Sequence, residues 1–424
     1  MDKILIRGGK RLEGEISIGG SKNAALPLMA ASLLSEGTLE IVGLPDVDDI
    51  KAMAKLLLKL GVQVEYTEPT GSNIGTCRLS SSNIKTTKAP YDIVRKMRAS
   101  VLVLGPLLTR FGHARVSLPG GCAIGTRPVD LHLEALKEMG AVIQIQGGYI
   151  EAHVHGSLRG ANLTFPKITV GGTENVLMAA VLAKGDTIIS NAAREPEVTD
   201  LAICLKSMGA EIEGIGTNKL KVFGVRSLHG TSHKVIPDRI ETGTYAIAAS
   251  ITGGDLVLRN VQTNNNQGLL CALSKAGVET SELDGALRVS SKREKLRGIN
   301  LTTEPFPGFP TDMQAQFMAL MCLANGKSQI TESIFENRFM HVPELVRMGA
   351  NISVSGASAL VQGVAKMSAA QVMATDLRAS VSLILAGLAI DGETLLNRVY
   401  HLDRGYERLE EKLAACGAEI KRVK

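Results

Sequence analysis

Six copies of one sequence pattern limit the folds open to this chain more than any other feature. Each copy ends an amphipathic run with a glycine and continues with alternating apolar and polar residues, as in LLKLGVQVE, LKEMGAVIQ and LKSMGAEIE. The six glycines recur at nearly constant intervals: Gly61, Gly140, Gly209, Gly277, Gly349 and Gly417. Such a repeat indicates a supersecondary unit that buries its apolar surface against its neighbours.

A second glycine lies upstream in each copy and usually precedes a short strand pattern such as DTIISN or DLVLRN. These glycines are Gly37, Gly112, Gly185, Gly254, Gly326 and Gly392. Because glycine commonly ends a helix in the left-handed conformation, each copy predicts helix, strand, helix, strand, with a glycine cap after each helix.

The two helices of a copy differ in their apolar pattern. The second is amphipathic, and in the first copy one apolar stripe contains Ile50, Met53, Ala54 and Leu57. The first is apolar nearly all round, as in NAALPLMAASLL and ENVLMAAVLA, which is typical of a helix buried on every side. We therefore expect an α/β (α+β) fold with helices rather than strands at its centre.

Polar residues of the buried helices collect in their first turns, in GSKNA, KMRAS, GGTEN, RIETG, PTDMQ and ATDLR. Helix N-termini carry unpaired N–H groups and partial positive charge, so several that converge would form an anion site. Four cations would strengthen it: Lys22, Arg98, Arg378 and Arg404. For Thr311-Asp312 and Thr375-Asp376, ordinary helix capping is the alternative interpretation.

Composition excludes several classes of protein. With 424 residues, 45% of them hydrophobic, the chain suits two or three globular domains or one large α/β unit. A net charge of +5 without a run of basic residues argues against binding to nucleic acid or to a membrane surface. Apolar runs fall short of the roughly 20 residues needed to span a bilayer, and we expect a cytoplasmic protein.

No sequence signature points to a metal or a cofactor. The six cysteines include no Cys-x-x-Cys pair, and the eight histidines include no HExxH motif. The segment SLPGGCAIGTRPVD places Cys122 among Gly120, Gly121 and Gly125, in a flexible loop where Arg127 would favour the thiolate. The other five cysteines are interpreted as small buried hydrophobic residues.

Eight segments resemble the UDP-N-acetylglucosamine enolpyruvyl transferase family, in order and across essentially the whole chain. They are GGSKNAALPLMAA, MRAS, PGGCAIGTRPVDLH, AAREPEVTD, PTDMQAQFMA, FENRFMHVPEL, ATDLRAS and HLDRGYERLEEKL. The resemblance implies transfer of enolpyruvyl from phosphoenolpyruvate to the sugar 3-hydroxyl, with release of phosphate, as the first committed step of peptidoglycan synthesis. It also implies two inside-out α/β barrel domains of three repeats each, covering 22–236 and 1–21 with 237–424, and substrates in the cleft between them.

The resemblance also implies catalytic roles for individual residues. Cys122 matches the proton donor, which forms a phospholactoyl adduct and is alkylated by fosfomycin. Asp312 matches the residue at the sugar 3-hydroxyl and is the candidate base. Lys22 and Arg404 complete the expected catalytic set. The phosphoenolpyruvate-binding residues are expected to be Lys22, Asn23, Arg127, Arg338, Arg378 and Arg404, whose cations suit phosphate and carboxylate groups.

The nucleotide-sugar site is implied in the same way. It is expected to contain Arg98, Arg127, Pro128, Val129, Asp130, Leu131, Lys167, Thr169, Val170, Gly171 and Ile334. Supporting roles are expected for His132, Glu195, Glu197, Asp238, Arg239 and Asp376. No cofactor is implied, and a monomer is expected.

Three alternatives remain open from the sequence. A transferase acting on shikimate 3-phosphate shares the fold, and fold does not determine substrate. A non-catalytic repeat scaffold is a candidate of another class. A cysteine hydrolase is weaker, because no histidine is clearly placed to pair with Cys122.

Reaction with fosfomycin tests the assignment of Cys122. We expect one adduct, on Cys122, formed faster when UDP-N-acetylglucosamine is present, because the loop then closes over the bound sugar. Intact mass and peptide mapping measure the outcome. An adduct on another cysteine, or none at all, contradicts the assignment.

Overall fold

The chain divides into two compact units. The computed structural model describes residues 2–67, 75–95, 97–118 and 129–424. Unit 1 contains residues 2–19 and 237–424, and unit 2 contains the described residues between 20 and 236. Each unit has its own hydrophobic core.

The described residues form 24 strands. In chain order they are β1 (Lys3–Gly8), β2 (Glu13–Ser17), β3 (Thr38–Val42), β4 (Gln63–Thr67), β5 (Thr76–Ser80), β6 (Lys88–Ala89), β7 (His113–Ser117), β8 (Ala141–Gln146), β9 (Tyr149–Val154), β10 (Asn162–Thr164), β11 (Asp186–Ser190), β12 (Glu211–Glu213), β13 (Lys219–Phe223), β14 (Thr231–Lys234), β15 (Asp255–Arg259), β16 (Glu279–Leu283), β17 (Ala286–Ser290), β18 (Leu301–Thr302), β19 (Lys327–Thr331), β20 (Asn351–Ser355), β21 (Ser358–Gln362), β22 (Gln371–Met373), β23 (Gly392–Asn397) and β24 (Glu419–Val423).

The same residues form 13 α-helices. They are α1 (Lys22–Ala31), α2 (Asp48–Leu60), α3 (Tyr91–Val94), α4 (Leu104–Phe111), α5 (Asp130–Glu138), α6 (Val170–Ala180), α7 (Pro196–Ser207), α8 (Arg239–Thr252), α9 (Gln267–Lys275), α10 (Gln314–Met321), α11 (Val342–Arg347), α12 (Leu377–Ala389) and α13 (Leu409–Ala415). Short 3₁₀ helices include Arg98–Val103, Thr311–Met313 and Val399–His401.

Six four-stranded sheets with one shared topology make up the fold of the described residues. Unit 1 contains the sheets β2-β15-β17-β16, β18-β19-β21-β20 and β22-β23-β1-β24. Unit 2 contains β14-β3-β5-β4, β6-β7-β9-β8 and β10-β11-β13-β12. In every sheet one edge strand pairs in parallel with its neighbour, and the other pairings are antiparallel.

The N-terminal segment completes two sheets of unit 1. Strand β1 pairs with both β23 and β24, and β2 pairs with β15. In unit 2, β14 returns from the end of that unit to pair with β3, the strand that follows α1. Both units are therefore closed by strands distant in sequence from the repeat that they complete.

Apolar helices fill the centre of each unit, as the sequence predicts. Every residue of α12 from Arg378 to Ala389 is buried, as is every residue of α8 from Ile240 to Thr252. Helices α8, α10 and α12 pack against one another in unit 1. In unit 2, α6 packs against both α1 and α4. The expected α/β class with central helices is confirmed.

The amphipathic helices cover the sheets with one face. In α2 the buried positions include Ile50, Met53 and Leu57, as expected, whereas Lys55 and Lys59 are exposed. All six glycines of the repeat signature have a positive φ, for example +109° at Gly61 after α2. Their role as left-handed helix caps is confirmed.

Two details of the predicted repeat are wrong. Each copy contains a hairpin and a parallel edge strand, so the simple order helix, strand, helix, strand omits two strands per sheet. Gly37 and Gly254 lack a positive φ and are not left-handed caps. A side chain at Gly37 would collide with the backbone of Gly230, and one at Gly254 with the carbonyl oxygen of Leu12.

Adjacent leucines of α2 test the packing of unit 2. Leu57 is 0% exposed and Leu58 is 53% exposed. Leu57→Ala is expected to lower the free energy of unfolding by about 2 to 5 kcal/mol, because it leaves a cavity in the core. Leu58→Ala should change it by less than about 0.5 kcal/mol. Urea unfolding followed by circular dichroism measures both, and equal losses would contradict the burial pattern.

Candidate functional site

Asp312 lies between two arginines in unit 1. The 3₁₀ helix Thr311–Met313 precedes α10 and carries this aspartate. Asp312 Oδ1 accepts a hydrogen bond from Arg338 Nη2 at 2.6 Å, and Asp312 Oδ2 accepts one from Arg378 Nη2 at 3.0 Å. The arginine side chains are 7% and 8% exposed, against 26% for Asp312. A ligand can therefore approach the carboxylate more readily than the two guanidinium groups.

The other terminal nitrogen of the Arg378 guanidinium, Nη1, connects Asp312 and its two arginines to polar groups in the core. Arg378 Nη1 donates to the hydroxyl of Tyr406 at 3.1 Å, and that hydroxyl lies 2.8 Å from Thr244 Oγ1. Because Thr244 donates its proton to the carbonyl of Ile240, Tyr406 must donate to Thr244. Burial disfavours the charge of Arg378, but Asp312, Tyr406 and Asp238 outweigh it and raise the pKa of the guanidinium above its ordinary value.

Arg404 and Ile334 occupy loops of the same unit. Arg404 is half-buried in the turn after the 3₁₀ helix Val399–His401, and its charge, together with burial, lowers the pKa of His401. The next residue, Gly405, packs against Leu377 at the start of α12. Ile334 is half-buried in the loop after β19, where its N–H donates to Glu332 Oε1 at 2.9 Å.

Two similar Thr-Asp pairs have different roles. Asp376 caps α12, because its Oδ1 accepts from the N–H groups of Arg378 and Ala379 at 2.9 and 3.0 Å. Asp238 caps α8 in the same way. Asp312 makes no side-chain cap and instead binds Arg338 and Arg378. The capping interpretation thus holds for Asp376 and fails for Asp312.

Lys22 begins α1 in unit 2 and is paired with an acid that the sequence analysis missed. Ser21 caps this helix, and Lys22 Nζ donates to Asp49 Oδ2 at 3.1 Å. Both side chains are largely buried. The Lys22 ammonium group carries three N–H donors, and the contact with Asp49 uses one of them. The next residue, Asn23, is half-buried. The only signal for Asp49 was its place in the acidic first turn of α2.

His132 connects two expected nucleotide-sugar segments of unit 2. It lies on α5 after Asp130 and Leu131, and a side chain added at Gly171 on α6 would meet its ring at 3.3 Å. Asn175 Nδ2 lies 3.1 Å from His132 Nδ1 and also donates to a carbonyl, so Nδ1 is the accepting nitrogen. Burial and the charge of Arg98 lower the pKa of His132 to about 4, which keeps the ring neutral at pH 7.

The start of α6 provides hydrogen-bond donors beside these residues. Thr169 caps the helix by accepting from the N–H of Gly172 at 3.2 Å. Lys167 and Val170 are exposed, whereas Val129 and Leu131 are buried. The helix start can therefore contribute N–H groups to an anion.

Glu195 and Glu197 lie with Glu174 in a buried carboxyl cluster. The three residues are 8%, 3% and 4% exposed. Burial and the charges of Glu197 and Glu195 raise the pKa of Glu174 well above its ordinary value. This shift favours the protonated carboxyl, which can donate a hydrogen bond. The sequence analysis included Glu174 only among the polar first-turn residues of GGTEN and gave it no role of its own.

Three expected site residues, Cys122, Arg127 and Pro128, lie outside the described residues. Of the other cysteines, Cys77, Cys204, Cys322 and Cys416 are buried, as expected. The prediction is wrong for Cys271, which is exposed because α9 turns Leu269, Ala272 and Leu273 toward the core instead. Burial raises the pKa of the Cys77, Cys204 and Cys322 thiols to about 12.

The residues that the structure describes contain neither a metal-binding cluster nor a membrane-spanning helix. No group of three or more His, Cys, Asp or Glu residues among them could hold a metal ion. None of their helices is long and apolar enough to cross a membrane.

Comparisons with known proteins cover nearly the whole chain. A family model described as EPSP synthase (3-phosphoshikimate 1-carboxyvinyltransferase) matches residues 6–413. The UDP-N-acetylglucosamine 1-carboxyvinyltransferase of Paramagnetospirillum magneticum is 62% identical, over 100% of this chain and 99% of that protein. The protein of that name from Granulibacter bethesdensis is 61% identical, with both chains fully covered.

Solved structures show the same fold. The enolpyruvyl transferase NikO from Streptomyces tendae superposes with a TM-score of 0.88 at 24% identity, covering 100% of this chain and 99% of that one. An EPSP synthase from Acinetobacter baumannii gives a TM-score of 0.76 at 19% identity, with both chains fully covered. At these identities the likeness concerns the fold alone.

The neutral state of His132 predicts a pH dependence of stability. The unfolded chain binds a proton on this residue near pH 6.5 and the folded chain only near pH 4, so stability is lost as the pH falls through that window. Between pH 7 and pH 5 the contribution is about 2 kcal/mol. In the His132→Asn protein, the free energy of unfolding should fall by about 2 kcal/mol less between pH 7 and pH 5 than it does in the parent protein. Urea unfolding at both pH values measures it, and equal losses in the two proteins would refute a buried neutral ring.

Proposed function

The chain belongs to the enolpyruvyl (1-carboxyvinyl) transferase family, and from that premise we propose that it acts on phosphoenolpyruvate and UDP-N-acetylglucosamine. The expected resemblance is confirmed by relatives named UDP-N-acetylglucosamine 1-carboxyvinyltransferase at 62% and 61% identity. The reaction places the enolpyruvyl group on the sugar 3-hydroxyl and releases phosphate.

The chemistry is an addition followed by an elimination. The sugar hydroxyl oxygen bonds to C2 of phosphoenolpyruvate, its proton passes to a base, and an acid protonates C3 to form a tetrahedral ketal. The C2–O bond to phosphate then breaks and C3 loses a proton, which restores the double bond. This sequence requires an acid, a base and cations that hold the phosphate and carboxylate groups.

Asp312 is the proposed partner of the sugar 3-hydroxyl. The observation that carries this role is its position between Arg338 and Arg378, with the carboxylate more exposed than either guanidinium. The two cations keep the carboxylate ionised and fix its direction, so it can accept a hydrogen bond from the sugar hydroxyl. Because they also make it a weaker base, the proton is transferred to it as the hydroxyl oxygen bonds to C2. Arg338, Arg378 and Arg404 are proposed to bind the phosphate and carboxylate of phosphoenolpyruvate with their remaining N–H groups.

Further contacts to both substrates are proposed for residues of unit 2 and for Ile334 of unit 1. Lys22 and Asn23 are assigned to phosphoenolpyruvate, and the start of α6 to the diphosphate of the nucleotide sugar, since helix N-termini favour anions. The other nucleotide-sugar residues are proposed to be Arg98, Arg127, Pro128, Val129, Asp130, Leu131, Lys167, Thr169, Val170, Gly171 and Ile334. The two-domain division at 22–236 and 1–21 with 237–424 is part of the same proposal.

Cys122 is proposed as the acid that protonates C3. This role follows from the resemblance, as does its covalent reaction with fosfomycin. The resemblance also supports a cytoplasmic enzyme that acts as a monomer and contributes to peptidoglycan synthesis.

Phosphate release measured with two acceptors tests the proposed function. We expect release from phosphoenolpyruvate when UDP-N-acetylglucosamine is present, and none with phosphoenolpyruvate alone or with shikimate 3-phosphate. Release with shikimate 3-phosphate instead would establish the other transferase. No release with either acceptor would support the scaffold.

Two aspartate variants provide the control for this assay. Asp312→Asn should lower kcat by about 100-fold or more, because the base and its charge are lost. Asp284→Asn, on the exposed turn between β16 and β17, should leave kcat unchanged. Equal activity of the two variants would contradict the role of Asp312.

A further inference from the structure

Glu332 is a buried carboxylate beside the candidate site that no step of the reaction has used. It follows β19 and is 2% exposed. Its Oε1 accepts from Thr303 Oγ1 at 2.8 Å and from the N–H groups of Ile334 and Phe335 at 2.9 and 3.2 Å. Its Oε2 accepts from Thr311 Oγ1 at 2.8 Å. Four donors from three separate segments therefore meet at one side chain.

The contact with Thr311 has a defined direction. Arg338 Nη1 donates to Thr311 Oγ1 at 2.8 Å, and a guanidinium can only donate. The hydroxyl of Thr311 accepts from Arg338, so its own proton is directed to Glu332 Oε2. Arg338 thus donates to Thr311, and Thr311 donates to Glu332. The other terminal nitrogen of Arg338, Nη2, donates to Asp312 Oδ1 at 2.6 Å.

The same carboxylate also determines the path of the next loop. The N–H groups of Ile334 and Phe335 bind Glu332 Oε1 directly, and the hydroxyl of Thr303 accepts from the N–H of Ser333 at 3.0 Å. The resemblance assigns Ile334 to the nucleotide sugar. One side chain thus connects the proposed base to a proposed sugar-binding loop.

We propose that Glu332 is a positioning residue for the transfer, because it orients Asp312 through Thr311 and Arg338 and holds the loop that carries Ile334. This inference rests on the proposed function, since it takes Asp312 and Ile334 as groups that face the substrate. Glu332 itself makes no contact with the reacting atoms in this proposal. Its effect is transmitted through its neighbours.

All four partners of Glu332 donate hydrogen bonds to its carboxylate, so we predict that glutamine cannot replace it. If the amide NH₂ faces Thr311, that hydroxyl receives two donors and its own proton has no acceptor. If the amide is turned round, its NH₂ meets two backbone N–H groups and the hydroxyl of Thr303. Either orientation leaves a buried donor without an acceptor, which disturbs the network.

Kinetics of four variants test the proposal, with phosphate release as the assay. Thr311→Val removes the link to Arg338, and Thr303→Val removes a matched hydroxyl contact to the other oxygen of Glu332. We expect kcat to fall about 10- to 100-fold in Thr311→Val, because a small displacement of a catalytic group costs that much. Thr303→Val should keep kcat within about threefold of the parent and act instead on KM for UDP-N-acetylglucosamine, because its hydroxyl also holds the N–H of Ser333 in the loop that carries Ile334. Equal falls in both variants would overturn the proposal.

The substitution Glu332→Gln separates the two effects of the carboxylate. It should lower kcat as Thr311→Val does, and it should also raise KM for UDP-N-acetylglucosamine through the Ile334 loop. The double variant Glu332→Gln with Thr311→Val should have the kcat of Glu332→Gln alone, because both changes break one chain of contacts. Additive losses of kcat would contradict transmission through Thr311.

Crystal structures of Glu332→Gln and of the parent decide the inference without any assay. We expect the glutamine protein to lose the 2.6 Å contact between Arg338 Nη2 and Asp312 Oδ1 or to show the carboxylate rotated. An unchanged Asp312 would refute the positioning role. If the parent releases no phosphate with UDP-N-acetylglucosamine, the proposed function fails, while this comparison still tests whether Glu332 orients Asp312.

Discussion

The burial of an apolar helix on every side is the constraint on which the rest of each unit depends. In unit 1, α8, α10 and α12 pack together inside three sheets, and α12 is buried from Arg378 to Ala389. A helix in this position satisfies its own backbone in the middle but not in its first turn, where N–H groups need acceptors. Polar residues are therefore confined to the helix starts, and these are the places where the candidate site forms.

The helix starts then divide into structural and chemical positions. Ser21, Thr169, Asp238 and Asp376 accept backbone N–H groups and cap their helices. Asp312 has no such role, because the turn before α10 is a 3₁₀ helix that directs its carboxylate to Arg338 and Arg378. Its carboxylate is therefore not used as a cap, and this difference supports the role proposed for it. The two buried arginines maintain its charge and fix its direction.

Buried networks hold candidate site residues in each unit. Glu332 collects Thr303, Thr311 and two backbone N–H groups in unit 1, and Asn175 holds His132 in unit 2. Such networks hold side chains in one arrangement, because an unsatisfied buried donor is costly. They also explain why residues outside the recognisable motifs matter. The sequence analysis gave a role to neither Glu332 nor Asn175, although Asn175 stands in the first-turn segment GGTEN, since neither has a distinctive spacing.

The sequence by itself determined the six repeats, the burial of the apolar helices, the glycine caps and the family, because these depend on local periodicity and on contiguous motifs. It did not reveal the hairpin and edge strands that complete each sheet, since strand partners such as β1 and β23 lie far apart in the chain. Nor could the local motif, which is nearly the same around both residues, distinguish Asp312 from Asp376; only the resemblance gave them different roles. The arginines that separate them lie 26 and 66 residues from Asp312, so only the tertiary structure decided which aspartate caps a helix and which binds cations.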